Sequence, residues 1–182
     1  MPPRTAPRTP QVNMWESKIV GCDVAYVWHA GRHAAELVSN LHSAEYEIRS
    51  QIIWNKPAFA ISRGHYHWKH EPCWYAFKKG KTAKYVGGHS QSTVWDISNR
   101  LTDEEGKTNH GTQKPIECMA RPIRNHGEES DHVYDPFLGS GTTMLAAEQL
   151  NRRCFGMEIS PKYVSVILQR MKDAGCECRL LT

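Results

Sequence analysis

A short glycine turn between two acidic residues is the part of the sequence best suited to chemistry. Asp135 ends an apolar segment, Gly139-Ser140-Gly141 follows, and Glu158 comes seventeen residues after Gly141. Glycines let the backbone approach a ligand closely, and the N–H groups at the start of the next helix favour a carboxylate or phosphate. An acid at the end of the next strand can accept hydrogen bonds from ribose hydroxyls. The spacing predicts a nucleoside-binding site, with a plain glycine turn and a surface glutamate as the alternative.

The segments around this turn alternate between strand and helix patterns. The turn lies between a predicted strand at 132–136 and a helix at 140–150, and the same order repeats with a strand at 153–158 and a helix at 160–173. Ser160 is the expected N-cap and Pro161 the first helical residue of that last helix. Upstream, the patterns predict strands at 22–28, 47–54, 73–77 and 93–97, and helices at 32–44 and 113–125, the latter with Pro115 at its first position. This order predicts an α/β fold with a mostly parallel sheet and helices on both faces.

Basic and aromatic residues are interleaved between Arg49 and Ser90. This window holds eight basic residues, eight aromatic residues and a single acid, Glu71. Basic side chains neutralise phosphates and aromatic rings stack on bases, so the pattern indicates a nucleic-acid surface. A lysine-rich hairpin whose rings fill a core is the alternative.

Composition excludes several other classes. The chain has 182 residues, of which 40% are hydrophobic and 23% charged, which fits one globular domain. No apolar stretch approaches the ~20 residues that span a bilayer, and no secretory signal is present, so we expect a cytoplasmic protein without a membrane partner. The six cysteines include no CxxC pair and are expected to be reduced thiols. His65, His67 and His70 have the right residue type for metal, but a strand would point His70 away, so no metal site is predicted.

The domain organisation follows the composition. Residues 1–13 are rich in proline and are expected to form a flexible leader, with a single domain over 14–182. Within that domain, residues 80–111 turn polar and rich in Gly, Ser and Asn, which indicates an inserted recognition segment.

Two segments resemble the cofactor motifs of the S-adenosylmethionine-dependent DNA amino-methyltransferases, which methylate exocyclic amines of adenine or cytosine. Residues 135–143 (DPFLGSGTT) resemble the main motif, and residues 110–115 (HGTQKP) resemble a second motif that lies upstream in the permuted, β-type order. The resemblance covers about residues 22–170. It implies a Rossmann-like methyltransferase fold, S-adenosylmethionine as cofactor and double-stranded DNA as partner. It also implies a bacterial or phage-encoded enzyme of DNA modification or restriction-modification.

The resemblance assigns the cofactor site residue by residue. The glycine turn and the next strand end would line the amino-acid end of the cofactor and hold its ribose, through Asp135, Phe137, Gly139, Ser140, Gly141, Thr142 and Glu158. The second motif would close over the methionine moiety through Thr112, Gln113 and Lys114. Charge agrees with this assignment, because Lys114 near a helix start suits a carboxylate and Asp135 suits a sulfonium or amine cation.

The resemblance also implies DNA contacts. Residues 63–79 resemble the family's late catalytic-domain hairpin, and residues 80–111 stand where the family carries its target-recognition region. The predicted DNA-binding residues are Arg63, Tyr66, Trp68, Lys78, Lys79, Lys81 and Lys84. A core position for Trp68 and solvated turn positions for the lysines are the alternatives.

The family's catalytic signature, Asp-Pro-Pro-Tyr, does not occur in the sequence. In the family, its acid and a prolyl carbonyl accept the hydrogen bonds of the target amine, and its tyrosine stacks on the flipped base. The strand that carries it lies centrally, between the strand of Asp135 and the strand at 22–28. We therefore expect an N-terminally truncated methyltransferase, inactive alone, whose open sheet edges favour self-association or a complementing N-terminal fragment.

Two other functions stay open from the sequence. One is a non-catalytic module that binds S-adenosylmethionine, nucleic acid or both, and the other is a methyltransferase acting on RNA or another substrate. For a DNA enzyme, family frequency favours adenine N6 over cytosine N4 as the target.

Overall fold

The structure, a computed structural model, describes residues 22–61, 63–98, 113–129 and 131–180. Within these ranges the chain forms six strands and four α-helices, with a 3-10 turn at Gly31–His33 before the first helix. In chain order they are β1 (Val24–Trp28), α1 (Ala34–Ser43), β2 (Tyr46–Asn55), β3 (His70–Lys78), β4 (Val94–Asp96), α2 (Ile116–His126), β5 (His132–Asp135), α3 (Thr142–Gln149), β6 (Arg153–Gly156) and α4 (Pro161–Asp173). The predicted leader, residues 1–13, lies outside the described residues.

The strands form two sheets. The first has the order β1-β3-β2-β4, and the second pairs β5 with β6. The β2–β4 and β5–β6 pairings are parallel, whereas β1–β3 and β2–β3 are antiparallel. The α/β architecture is as predicted, but the first sheet is mixed rather than mostly parallel. The reason is that β3 returns directly from β2 through residues 56–69 as a hairpin, without a crossover helix.

A bulge in β2 places apolar side chains of this strand on both faces of the first sheet. The register between β2 and β3 shifts between Ile48 and Ser50. One extra residue reverses the alternation of side chains, so Tyr46 packs toward α1 while Ile52 and Trp54 pack on the other face. Helices therefore cover both faces, α1 on one and α2 on the other, as the sequence predicted.

Helix α2 joins the two sheets. Its Cys118 packs with Trp54 and Trp95 of the first sheet, while Ile116 and Ala120 pack with Leu145 of α3 in the cluster that covers the second sheet. Pro115 is the N-cap of α2, not its first helical residue as predicted, and the helix ends at His126. Ser160 and Pro161 take the predicted N-cap and first helical positions of α4.

The described residues contain neither a helix long and apolar enough to cross a membrane nor a cluster of three or more side chains suited to hold a metal ion. All six cysteines are free thiols, as predicted. Burial raises the pKa of Cys118 and Cys154 to about 12, so both stay protonated at neutral pH.

Candidate functional site: the glycine turn at the carboxyl edge

The glycine turn links β5 to α3 in a conformation that requires glycine. Gly139 and Gly141 have φ values of 54° and 80°, in the left-handed region that L side chains rarely adopt. The N–H of Gly141 donates to the carbonyl of Leu138 at 2.8 Å. A Cβ atom on Gly141 would also lie 2.9 Å from the side chain of Ile167 on α4. Any other residue would therefore add strain at both positions and a clash at position 141.

Glu158 closes the turn from the end of β6. Its Oε2 accepts a hydrogen bond from the N–H of Gly139 at 2.8 Å, and its Oε1 accepts one from the N–H of Ser160 at 2.8 Å. A carboxylate has about four acceptor positions, so each oxygen keeps a lone pair for a ligand hydroxyl. The half-buried carboxylate is thus oriented by backbone donors on both sides. This is the geometry expected of a ribose acceptor.

Asp135 anchors the other side of the turn. Its Oδ1 accepts from the N–H of Phe137 at 2.9 Å, and its Oδ2 accepts from the hydroxyl of Thr143 at 2.6 Å. The strand end and the start of α3 are thereby tied to one carboxylate. Asp135 adds a negative charge beside the turn, which suits a cationic ligand group.

A buried arginine on α4 supports the turn, and the sequence patterns did not indicate this role. Arg170 of α4 is only 6% exposed, and its Nη1 donates to the carbonyl of Ser140 at 2.7 Å and lies 3.3 Å from the Thr142 hydroxyl. Ser140 and Thr142 are buried against this guanidinium, and their hydroxyls face it. One feature of the sequence could have indicated Arg170: it stands next to Met171, on the face of α4 that packs against the domain.

Lys114, predicted to close over the cofactor, precedes α2 and is held by Glu71. Its Nζ lies 3.0 Å from Oε2 of Glu71 and 5.5 Å from the ring centre of Trp28. Oε1 of Glu71 accepts from Nζ of Lys56 at 2.5 Å. Burial alone would raise the pKa of Glu71, but the two lysines outweigh it and lower that pKa. Gln113 is half-buried beside Lys114, and Thr112 lies outside the described residues.

Lys114 and the glycine turn lie at the same edge of the molecule. Lys114 contacts Trp28, the last residue of β1, so α2 starts at the carboxyl end of β1. Helix α3 starts at the carboxyl end of β5 and packs along α2. At the other end, Nη2 of Arg152, just before β6, donates to the carbonyl of Gly127 at 2.7 Å, just after α2. The two helices therefore run side by side, and this shared carboxyl edge is where α/β folds bind ligands.

The loop between β2 and β3, residues 56–69, rises from this edge. Two backbone hydrogen bonds, Lys56 N–H to Lys69 carbonyl and Ala60 N–H to Trp68 carbonyl, extend the hairpin.

Tyr66 is 93% exposed, and Phe59 and Trp68 are each 54% exposed. The side chains of Arg63, His65, His67 and Lys69 are exposed as well. Arg63, Tyr66 and Trp68 thus form one aromatic and basic surface at the carboxyl edge, and Trp68 is a surface residue, not a core residue.

The remaining predicted DNA contacts lie at the opposite end of the first sheet. Because β3 is antiparallel to β1, Lys78 ends β3 beside the start of β1, where its N–H donates to the carbonyl of Asp23 at 2.9 Å. Its Nζ donates to the carbonyl of Ala44 at 2.8 Å. Lys79 and Lys81 are exposed next to it. The structure therefore separates Lys78, Lys79 and Lys81 from the carboxyl edge, and their contact with DNA stays a prediction.

Lys84 belongs to a segment fixed on the end of α2. Its ammonium pairs with Glu128. Gln91 and Asn125 exchange two side-chain hydrogen bonds of 2.8 and 2.9 Å, and the N–H of Val86 donates to the carbonyl of Asn125 at 2.8 Å. Of the predicted recognition segment 80–111, the described part up to residue 98 is thus packed against the domain at this point.

His126 at the end of α2 lies among four aromatic rings, those of Tyr26, Tyr75, Phe77 and Tyr85. Its Nδ1 is 2.9 Å from the carbonyl of Lys84, so it holds the proton, and its Nε2 accepts from the Tyr26 hydroxyl at 3.0 Å. Burial lowers the pKa of His126, although the bond to the Lys84 carbonyl acts in the other direction.

Apolar side chains surround the turn on its exposed side. Phe137 is 51% exposed, Met157 49% and Ile159 98%. Exposed apolar side chains grouped at one place suit the faces of a flat, apolar ring. The groups around the turn therefore fit a nucleoside with a charged substituent. Carboxylates can accept from hydroxyls, helix N–H groups and a lysine can bind a carboxylate, and the apolar surface can cover a base.

Comparison with known proteins identifies the family of the chain. The model of the N6/N4 DNA methylase family matches residues 21–169. Over 151 residues the chain is 32% identical to the type II methyltransferase M.HinfI of Haemophilus influenzae, covering 73% of this chain and 42% of that protein. Its identity to M2.DpnII of Streptococcus pneumoniae is 29%, covering 72% of this chain and 54% of that one. The chain thus spans about half the length of these curated relatives.

Solved structures give the same fold. The M1.HpyAVI complex with S-adenosylmethionine superposes with a TM-score of 0.70 at 25% identity, covering 81% of this chain and 73% of that one. The cytosine-N4-specific PvuII methyltransferase superposes with a TM-score of 0.66 at 19% identity, covering 81% and 62% of the two chains. The predicted resemblance and the Rossmann-like methyltransferase fold are confirmed, and the chain belongs to the N6/N4 DNA methylase family.

Proposed function

We propose that the protein binds S-adenosylmethionine at the glycine turn and serves methyl transfer to an exocyclic amine in double-stranded DNA. The observation that carries this proposal is the pair of backbone hydrogen bonds that orients Glu158 beside the turn. When bound, S-adenosylmethionine supplies an electrophilic methyl group on a sulfonium sulfur. The chain's own residues bind and orient it.

Each part of the site has a defined task in this proposal. Glu158 accepts hydrogen bonds from the two ribose hydroxyls, and Phe137, Met157 and Ile159 shelter the adenine ring. The charge of Asp135 faces the cationic end of the cofactor, and Lys114 meets its carboxylate. The N–H groups of the first residues of α3 add donors for the same carboxylate.

DNA would approach the carboxyl edge through the loop of residues 56–69. Arg63 and Lys69 are positioned for phosphates, and Tyr66 and Trp68 are positioned to stack on or beside an extruded base. We propose adenine N6 as the target amine, in line with the family resemblance. Because the curated relatives are bacterial, we place the protein in a bacterial cytoplasm as part of a DNA modification system.

The described carboxylates at the edge already have partners, and none belongs to an Asp-Pro-Pro-Tyr run. Asp135, Glu158 and Glu71 each accept two hydrogen bonds or ion pairs, and Asp96 accepts one from Asn55 at 2.6 Å. Among the described residues, the two sheets do not pair with each other, and β1 and β5 each end a sheet. We propose that the acceptor for the target amine comes on a further strand between β1 and β5, from another segment or chain. The 182 residues alone would then bind the cofactor without transferring its methyl group.

The experiment combines binding with transfer. Calorimetry with S-adenosylmethionine tests the site, and tritiated methyl transfer to duplex DNA tests the activity, first with the chain alone and then with a fragment that carries an Asp-Pro-Pro-Tyr strand. We expect binding in both cases and transfer only with the fragment, with hydrolysed product identifying N6-methyladenine or N4-methylcytosine. Strong transfer by the chain alone would refute the complementation proposal. Binding that never leads to transfer would favour the second candidate, a cofactor- or nucleic-acid-binding module.

A further inference from the structure

Glu71 holds two lysines together at the carboxyl edge. Its carboxylate is bonded by Lys56 at 2.5 Å and by Lys114 at 3.0 Å, and the three side chains are 29%, 22% and 21% exposed, respectively. Each ammonium also lies over an indole ring, Lys56 over Trp54 at 4.9 Å and Lys114 over Trp28 at 5.5 Å. This arrangement, here called the Lys56–Glu71–Lys114 cluster, combines the residue after β2, the second residue of β3 and a residue just before α2.

Glu71 restricts a lysine that would otherwise be mobile. A lysine ammonium sits on a flexible four-carbon stem and loses considerable rotamer freedom when it is fixed. Glu71 and Trp28 together hold Lys114 at the edge that also carries the glycine turn. The ammonium has three N–H donors, of which Glu71 takes one. The cluster carries a net charge of +1, so it attracts an anion even with Glu71 ionised.

We propose that Glu71 is a positioning residue that orients Lys114 toward the carboxylate at the amino-acid end of S-adenosylmethionine. The inference rests on the proposed cofactor site. It assigns to Glu71 an indirect role, because the carboxylate of Glu71 itself would repel the cofactor carboxylate. Lys56 completes the cluster by holding the second oxygen of Glu71, which fixes the direction in which the first oxygen points.

Two ligands that differ at the amino-acid end test this role. S-adenosylhomocysteine carries the carboxylate, whereas 5′-methylthioadenosine has the same nucleoside without it. In titration calorimetry on the full chain, Glu71→Gln should lower the affinity for S-adenosylhomocysteine about tenfold, as expected for one charge-assisted hydrogen bond. The affinity for 5′-methylthioadenosine should change by less than about twofold. Lys114→Met should show the same selectivity, and the double variant should be no weaker than Lys114→Met alone.

A matched control and a second variant keep the test decisive. Glu128→Gln removes the carboxylate of another lysine pair, that with Lys84, and should leave both affinities unchanged. Glu71→Asp keeps the charge but shortens its reach, so it should give the same selectivity with a smaller loss, and it serves if Glu71→Gln does not fold. Equal losses for both ligands, or no loss for either, would overturn the positioning role. If the parent chain binds neither ligand, the proposed cofactor site itself fails.

Discussion

The carboxylate of Glu158 and the backbone N–H of Gly139 are joined by a 2.8 Å hydrogen bond across the ends of β6 and β5. The two residues are nineteen positions apart in sequence, and the bond fixes the turn and the acid relative to each other. Gly139 can present its N–H in this direction because its φ of 54° lies in the left-handed region. The acid that would bind ribose is therefore also a structural part of the turn.

The first prediction follows from this double role. Glu158→Ala removes the ribose acceptor and should weaken S-adenosylmethionine binding by about 1.5–3 kcal/mol for a hydrogen bond to a charged group, which is roughly 10- to 100-fold. Glu158→Gln keeps one oxygen acceptor and should lose less. Titration calorimetry measures both, with the exposed Glu128→Ala as control. Unchanged binding by Glu158→Ala would mean that the site assignment is wrong.

The second prediction concerns the arginine under the turn. Arg170→Met keeps most of the apolar packing but leaves the carbonyl of Ser140 without its charged donor, which should lower the free energy of unfolding by about 1–3 kcal/mol. Cofactor affinity should fall as well, because the turn loses support. Urea unfolding followed by circular dichroism gives the stability. Arg179→Met, at an exposed arginine in the C-terminal segment, is the control and should stay within about 0.5 kcal/mol of the parent. An Arg170→Met protein as stable as the parent would show that the buried bond contributes nothing net.

The sequence predicted those features that depend on residues close together in the chain, and it missed those that depend on distant contacts. The turn, its flanking strands and helices, and the cap at Ser160 are encoded locally, and they lie where the patterns indicated. The β2 bulge and the antiparallel pairing of β3 with both β1 and β2 were not predictable, because they depend on pairing between distant residues. The same holds for Arg170 under the turn and for the pairing of Glu71 with Lys56 and Lys114. These contacts join residues that are neighbours only after folding.

The third prediction is a pH dependence of stability from His126. Its pKa is lower in the folded protein than the ordinary value of 6.5, so the unfolded chain binds a proton more readily. The stabilisation is therefore complete above pH 6.5 and is lost as the pH falls from there through the lowered pKa. The free energy of unfolding, measured with urea, should decline as the pH falls from about 7.5 to about 5, the range of ordinary histidine titration. His126→Gln should make this decline less steep. The exposed His42→Gln, at the end of α1, is the matched control and should keep the parent slope. A His126→Gln slope equal to that of the parent would exclude this histidine as the cause.

The last prediction separates two surfaces for DNA. Log affinity for duplex DNA should fall with log salt by about 0.9 for each neutralised phosphate. If the loop of residues 56–69 contacts the backbone, the double variant Arg63→Ala and Lys69→Ala should make this slope shallower by up to about 2 and weaken all sequences alike. The matched comparison is the triple variant of Lys78, Lys79 and Lys81 to Ala at the opposite end of the first sheet, which changes the slope only if these three lysines contact DNA as the sequence predicts. Fluorescence anisotropy over a salt series measures both. The reverse result, a slope that responds only to the three lysines, would place DNA at the far end of the sheet and remove the loop from the interface.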